Sequence, residues 1–249
     1  MDVVDRDELP SAARDLSTIV INTSLKPDPS MSHTGRLMDT SENIMRKAGT
    51  KITHIHLADH DVPPGIFSDM TQNGFDTDEW PSIWSAISDA DIIVVGTPIW
   101  LRQESSLCRK LVERLYGMSG KLNDEGQSIF YGKVGGAMIT GNEDGLKHCE
   151  ANILYALQHL GCTIPPQADC GWIGKVGPGP SFGDRQDSER PAGFDSDFTQ
   201  RNTTIMTWNL IHAARLLKDA GGLPSYGNDR NAWKDCDRFG FELPHPVAD

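Results

Sequence analysis

The run Ile92-Ile93-Val94-Val95, followed by Gly96-Thr97-Pro98 and by a helical pattern opening near Ser105, narrows the folds open to this chain of 249 residues. It reads as a buried strand that feeds a loop and then a helix, the repeating unit of an open parallel sheet. In such sheets ligands bind in the crevice at the carboxyl ends of the strands. Pro98 and Trp100 then sit where a flat aromatic ligand would rest. An ordinary strand–loop–helix connection with a core tryptophan is the competing reading of the same residues.

The alternation recurs along the chain. Strand-like runs at 18–22, 52–56, 92–95 and 133–139, with a short fifth at 162–165 or 170–173, are separated by helical patterns at 35–47, 80–88, 105–116 and 145–160. A last helix is expected at 198–220. In the fourth helix Leu146, Cys149, Ile153, Leu157 and Leu160 form one apolar stripe, and Gly161 is a natural stop. Such alternation predicts one α/β domain over residues 18–221, with a parallel sheet covered on both faces. A polar arm, residues 1–17, precedes it. Residues 174–196 are rich in Gly, Pro, Asp and Ser and too long for a routine connection, so they read as a lid, a binding loop or a disordered segment. The tail, 222–249, is polar but carries Tyr226, Trp233, Phe239 and Phe241, which predicts packing on the domain surface.

Charge and cysteine content exclude several classes. The formal charge is −12 with no basic stripe, which argues against nucleic acid and against anionic membrane surfaces. The first 17 residues lack the apolar core of a signal peptide, and no apolar run approaches the ~18 residues that span a bilayer, so a cytoplasmic protein is expected. Cys108, Cys149, Cys162, Cys170 and Cys236 form no Cys-x-x-Cys, which fits reduced thiols. His54, His56, His60 and Asp61 are close in sequence, but edge strands commonly carry polar side chains and no fourth-ligand pattern completes them, so no metal site is expected. No Gly-x-Ser-x-Gly elbow occurs, and no second set of acids answers Glu143 and Asp144, which removes serine and paired-carboxylate hydrolases.

After the first strand, Thr23-Ser24-Leu25-Lys26-Pro27-Asp28-Pro29-Ser30-Met31-Ser32-His33-Thr34-Gly35 is a hydroxyl-rich loop feeding a helix N-terminus. Free N–H groups and the helix dipole attract phosphate there, and hydroxyls donate to its oxygens. Neither the Walker loop nor Gly-x-Gly-x-x-Gly is present, so a monophosphate fits better than a nucleoside triphosphate. Turn chemistry with N-capping explains the same residues without a ligand.

Three stretches, in order, carry a resemblance. They are Ser24, Lys26, Ser32-His33-Thr34 and Leu37; Pro98-x-Trp100, then Ser105, Arg109, Glu113 and Arg114; and Ile139-Thr140-Gly141-Asn142-Glu143-Asp144-Gly145. Over residues 18–173 the chain resembles the flavodoxin-like NAD(P)H-dependent oxidoreductases, the FMN reductase family. The resemblance implies a flavodoxin-like three-layer sandwich with a five-stranded parallel sheet of order 2-1-3-4-5 and a C-terminal extension. It implies phosphate contacts from Ser24, Lys26, Ser32, His33 and Thr34. Ring contacts are expected from Pro98, Ile99, Trp100, Leu101 and Arg102, with Thr140, Gly141, Asn142 and Gly145 alongside.

The activity so implied is hydride transfer from NAD(P)H through FMN to a small acceptor, quinone-like or flavin, in a homodimer or tetramer. The alternative is a flavodoxin-type electron carrier without nicotinamide turnover, and a third reading is a fold that has lost FMN. Two departures bear on the site: Thr23 stands where the family usually has Gly, and Arg102 where it often has Gly. Arg102 would either cover the flavin or grip a dinucleotide phosphate. Trp172 is expected near the ring or in the core, and His148 on the surface of its helix.

Overall fold

The computed structural model describes residues 13–177, 179–187 and 190–244; residues 1–12 of the expected polar arm lie outside them. Among the described residues the strands are β1 Ser17–Asn22, β2 Lys51–His56, β3 Ile92–Trp100, β4 Gln103–Glu104, β5 Val134–Gly141 and β6 Asp169–Ile173. The helices are α1 His33–Lys47, α2 Trp80–Ser88, α3 Ser106–Tyr116, α4 Leu146–Leu160, α5 Asp197–Asp219 and α6 Arg230–Lys234. Five strands run parallel in the order β2-β1-β3-β5-β6, and β4 pairs only with β3. Leaving aside β4, this is the expected 2-1-3-4-5 order.

The period of two along each strand divides the core. Ile19, Ile21, Ile93 and Val95 face α2, α3 and α4, whereas Val20, Ile92 and Val94 face α1 and α5. Each fully buried aliphatic side chain contributes about 1.5–3 kcal/mol, so both faces need their helices. Close approach of α1 depends on Gly96, where a Cβ would lie 2.1 Å from Met38 Sδ.

Four local features bear on the sequence expectation: three add to it or depart from it, and one decides between its two candidates for the fifth strand. β3 does not stop at Val95: Thr97 and Pro98 stay in register with Ile139 and Thr140 of β5. By Pro98 β1 has ended, and a proline is tolerated where one neighbour is missing. The chain then reverses through Leu101 and Arg102, both left-handed (φ 50° and 67°), into β4. That conformation is the two-residue hairpin turn whose twist suits antiparallel strands. Second, α1 starts at His33 because the Ser32 hydroxyl caps it, accepting from the Gly35 N–H at 3.0 Å. Third, the fifth parallel strand is Asp169–Ile173, while Thr163 contributes a single bridge to Val134. Fourth, the tail holds the short helix α6, capped by Asp229.

Candidate functional site

The carboxyl ends of β1, β3 and β5 open into a cavity of about 740 Å³. Its phosphate-like end is built from Thr23 outward. Thr23 is fully buried, and its N–H and hydroxyl both donate to the Gly96 carbonyl, at 2.8 and 2.7 Å. Ser105, the N-cap of α3, donates to the Thr23 carbonyl at 2.6 Å. Thr23 is therefore tied into the sheet end and stays out of the cavity lining.

Beyond Thr23 the loop is fixed by buried amides and hydroxyls. The Asn22 side chain donates to Ser32 Oγ at 3.0 Å and accepts from the Ser24 N–H at 3.0 Å. His56 donates to the Lys26 carbonyl at 2.8 Å. The Ser30 hydroxyl and N–H hold the Asp28 carboxyl below its ordinary range. At the first turn of α1 the backbone N–H groups of His33 and Thr34 have no protein acceptor among the described residues.

His33 positions a cation beside them. Its Nδ1–H donates to the Phe182 carbonyl at 3.0 Å, which leaves Nε2 as the acceptor for Lys26 Nζ, also at 3.0 Å. Asp184 lies 3.5 Å from the same Nδ1. Thr34 faces the other way, its hydroxyl 2.7 Å from that of Thr140 on β5, so the two halves of the cavity wall are bonded directly.

The broad end has an apolar wall of Pro98, Ile99 and Trp100, with Trp100 55% exposed, and a polar one of Thr140, Gly141, Asn142 and Glu143. Over the mouth runs the Gly/Pro-rich segment, contributing Val176, Gly177, Gly179, Ser181 and Phe182. Asn142 Nδ2 donates to the carbonyls of Gly179 and Pro180 (2.8 and 2.9 Å), and Arg36 donates to that of Gly183 at 2.8 Å. The segment is thus a bonded strap. Nothing in its sequence except a glycine-rich lid signature pointed to Phe182, and Leu25, Pro27 and Glu143 joined the lining only once neighbouring loops were seen together.

Ser24, Lys26, His33, Thr34, Pro98, Ile99, Trp100, Thr140, Gly141 and Asn142 all line the cavity. Ser32, Leu101, Arg102 and Gly145 do not. Ser32 is buried as the cap of α1, and Leu101 is the exposed hairpin tip. Arg102 points to Asp144 (Nε to Oδ2, 3.5 Å), and its carbonyl faces Cys149 Sγ. Gly145, at φ 121°, lets the hairpin turn lie on the start of α4, since a Cβ there would be 2.6 Å from Arg102 Cα. Trp172 also stands back from the lining and packs edge-on against Phe182 at 5.7 Å. His148 bonds Gln103 and Asn152 instead of the cavity.

His54 and His60 have structural partners, and four of the five thiols are buried. His54 pairs with Glu42 at 2.6 Å, which raises its pKa, and His60 lies 3.6 Å from Glu79. No group of three or more His, Cys, Asp or Glu arranged for a metal ion occurs among the described residues. Burial pushes Cys108, Cys149, Cys162 and Cys170 up to about 12, so these thiols stay neutral. No helix among the described residues is long and apolar enough to cross a membrane.

Comparison with known proteins agrees with this geometry. Residues 16–172 match the family described as NADPH-dependent FMN reductase. The chain is 32% identical over 213 residues to 8-demethyl-8-aminoriboflavin-5'-phosphate synthase of Streptomyces davaonensis, covering 82% of this chain and 79% of that protein. It is 50% identical over 203 residues to the divalent metal cation transporter MntH of Mycobacterium bovis, and the match spans only 29% of the transporter's length. Among solved structures, RosB with its bound intermediate 8-demethyl-8-formylriboflavin-5'-phosphate superposes with a TM-score of 0.75 at 29% identity, covering 94% of this chain and 92% of RosB.

Proposed function

We propose, from the premise that this chain belongs to the NADPH-dependent FMN reductase family, that it is an FMN-dependent oxidoreductase drawing on NAD(P)H. The observation that carries the reading is the junction of two unlike surfaces in one cavity. Free helix N–H groups beside Lys26 meet an apolar wall at Pro98–Trp100. That junction fits a phosphate ester of a flat aromatic ring system, and the volume lies in the usual range for such sites.

FMN, when bound, supplies a ring that takes hydride from the nicotinamide and gives two electrons to an acceptor. The protein's part is binding, orientation and exclusion of water. Lys26 and the His33 and Thr34 N–H groups oppose the phosphate charge, and the N-terminus of α1 adds its dipole. His33 fixes the Lys26 ammonium through a neutral imidazole and so adds no second cation. The Thr34–Thr140 bond sets the distance between the phosphate wall and the wall beside the ring. The strap held by Asn142 and Arg36 shields the cavity from water, which favours an enzyme with a bounded pocket over a carrier with an open ring edge.

Quinones and free flavin are the proposed acceptors, and a homodimer or tetramer the proposed assembly. A second reading has its own support: the likeness to RosB, solved with 8-demethyl-8-formylriboflavin-5'-phosphate bound, runs over 94% of the chain, well beyond the family match, so a riboflavin 5'-phosphate would be substrate rather than cofactor.

An absorbance spectrum with added FMN, followed by anaerobic NADPH and chromatography of the flavin, tests both. Bound flavin that bleaches and is recovered unchanged supports the reductase. Flavin recovered with an altered mass supports the second reading, and protein that takes up no FMN refutes both.

A further inference from the structure

Phe182 belongs to two cavities. One face lines the site above; the other closes a second cavity of about 280 Å³ between α1, α5 and the strap. Leu37, Ile44 and Phe194 supply its apolar walls, and it opens to solvent past Thr40 and Thr204. Its polar groups have little left to donate. The Thr40 hydroxyl bonds the Leu37 carbonyl (2.6 Å), that of Thr204 the Gln200 carbonyl (2.8 Å), and that of Thr203 the sulfur of Cys170 (3.5 Å). Gln200 Nε2 donates to the Phe194 carbonyl at 2.7 Å. The Thr199 hydroxyl accepts from Ser196 Oγ at 2.9 Å and keeps its own hydrogen, so what remains facing the space is chiefly apolar surface and oxygen lone pairs. No charged side chain lines it.

We infer that this second cavity binds a small, uncharged aromatic compound carrying one hydrogen-bond donor, of the phenol or indole class. Flat apolar walls select the ring, the absence of a lining charge disfavours ions, and the hydroxyl and amide oxygens select a donor over an acceptor. The size suits one or two fused rings and excludes a flavin or a dinucleotide.

Occupancy would reach the first cavity through one residue. Phe182 packs between Trp172 (5.7 Å) and Phe194 (5.3 Å), and its carbonyl fixes His33, which in turn fixes Lys26. A ring seated behind Phe182 removes its room to recede and holds the strap on His33. The phosphate anchor is then already ordered when FMN arrives, so FMN binds more tightly, and by linkage FMN tightens the aromatic ligand equally. This coupling rests on the FMN reading above; the aromatic site does not.

Indole is the probe. Calorimetric titration of the full chain without FMN is expected to give saturable binding, and Ile44→Trp, which fills the cavity from α1, to abolish it. Thr204→Phe at the rim is the second filling variant should the first fail to fold. With FMN present, saturating indole is expected to lower the FMN Kd about fivefold or more. Indole binding that survives both filling variants, or that FMN displaces competitively, overturns the site. Unchanged or weakened FMN affinity at saturating indole overturns the coupling. Indole binding in a protein that takes up no FMN leaves the site standing and sinks the flavin reading alone.

Discussion

The two ends of the sheet use their polar groups in opposite ways. At the amino-terminal ends of the strands most buried donors and acceptors answer one another, the hydroxyls of Thr18 and Thr50 being the exceptions. Lys133 Nζ donates to the carbonyls of Ser88 and Ala90, Ser128 to that of Leu160, and Gln127 joins Leu223 and Asn228 of the tail. Arg230 closes the set on the Ser119 carbonyl. At the carboxyl-terminal ends the His33 and Thr34 N–H groups lack a protein acceptor, and Lys26 has only a neutral imidazole. A closed network stabilises the fold, whereas an end with donors to spare is prepared for a ligand. Mutations at the first end should therefore change stability without changing affinity, and mutations at the second the reverse.

The largest effect is expected at the closed end. Lys133 is 8% exposed, and burial holds its pKa below the ordinary lysine value. Lys133→Met keeps the bulk but strips the Ser88 and Ala90 carbonyls of their donor, at a cost of about 2–4 kcal/mol. Thermal melts should drop by roughly 5–15 °C, while FMN titrated by fluorescence quenching keeps its affinity within about twofold. A large loss of affinity in the folded variant would break the comparison.

Lys26→Ala is the converse. Loss of a charged partner for phosphate is worth about 1.5–3 kcal/mol, or roughly 10- to 100-fold in FMN Kd. Melts of the FMN-free protein should move by less than ~1 °C, because a half-exposed lysine held by one imidazole adds little to the fold. Destabilisation comparable to Lys133→Met would mean that the open end is a structural network as well.

Legibility in the sequence follows the same division. The strand order and the lining by Ser24, Lys26, His33, Thr34, Pro98–Trp100 and Thr140–Asn142 were readable, because strand-end loops in this topology must meet at one place. Contributions from distant chain were not. Phe182 reaches the cavity because its carbonyl accepts from His33 and because Asn142 holds the nearby Gly179 and Pro180 carbonyls, bonds that join residues more than thirty apart in sequence and that no local pattern encodes. The hairpin was missed for another reason: Gly96-Thr97-Pro98 has turn chemistry, but pairing with β5 overrides it and carries the strand to Trp100. The family resemblance placed Arg102 and Gly145 beside the ring; in the fold a left-handed turn packs them against each other, outside the cavity lining.

Glu150 sharpens the comparison away from either end, on α4 beside the sheet edge. It is buried, and burial with help from the Asp169 carboxyl pushes its pKa up to about 8, against the pull of Lys147 2.8 Å away. The folded state therefore holds a proton that the unfolded chain releases near pH 4.5. Stability from this group is complete below that pH and declines until about pH 8, above which it is flat. Glu150→Gln removes the titration. Relative to wild type, its melting temperature should rise between pH 5 and pH 8 by about 2–4 °C, equivalent to ~1 kcal/mol. FMN affinity should stay unchanged at both pH values.

The smallest effect marks where the open end stops. Arg102 occupies a left-handed position at φ 67° that a glycine adopts without strain, and its pairing with Asp144 joins two exposed side chains. Arg102→Gly relieves backbone strain of the order of 1 kcal/mol and restores part of it as unfolded-chain entropy. A melting temperature raised by about 1–2 °C and an FMN Kd within about twofold are expected, because the side chain lies off the cavity lining. NADPH turnover is the finer measurement. If it falls about tenfold while FMN affinity holds, the guanidinium meets the dinucleotide when it docks, and the open end extends across the hairpin turn to Asp144. If neither changes, the working surface ends at Trp100, and the turn serves only to bring β3 back against α4.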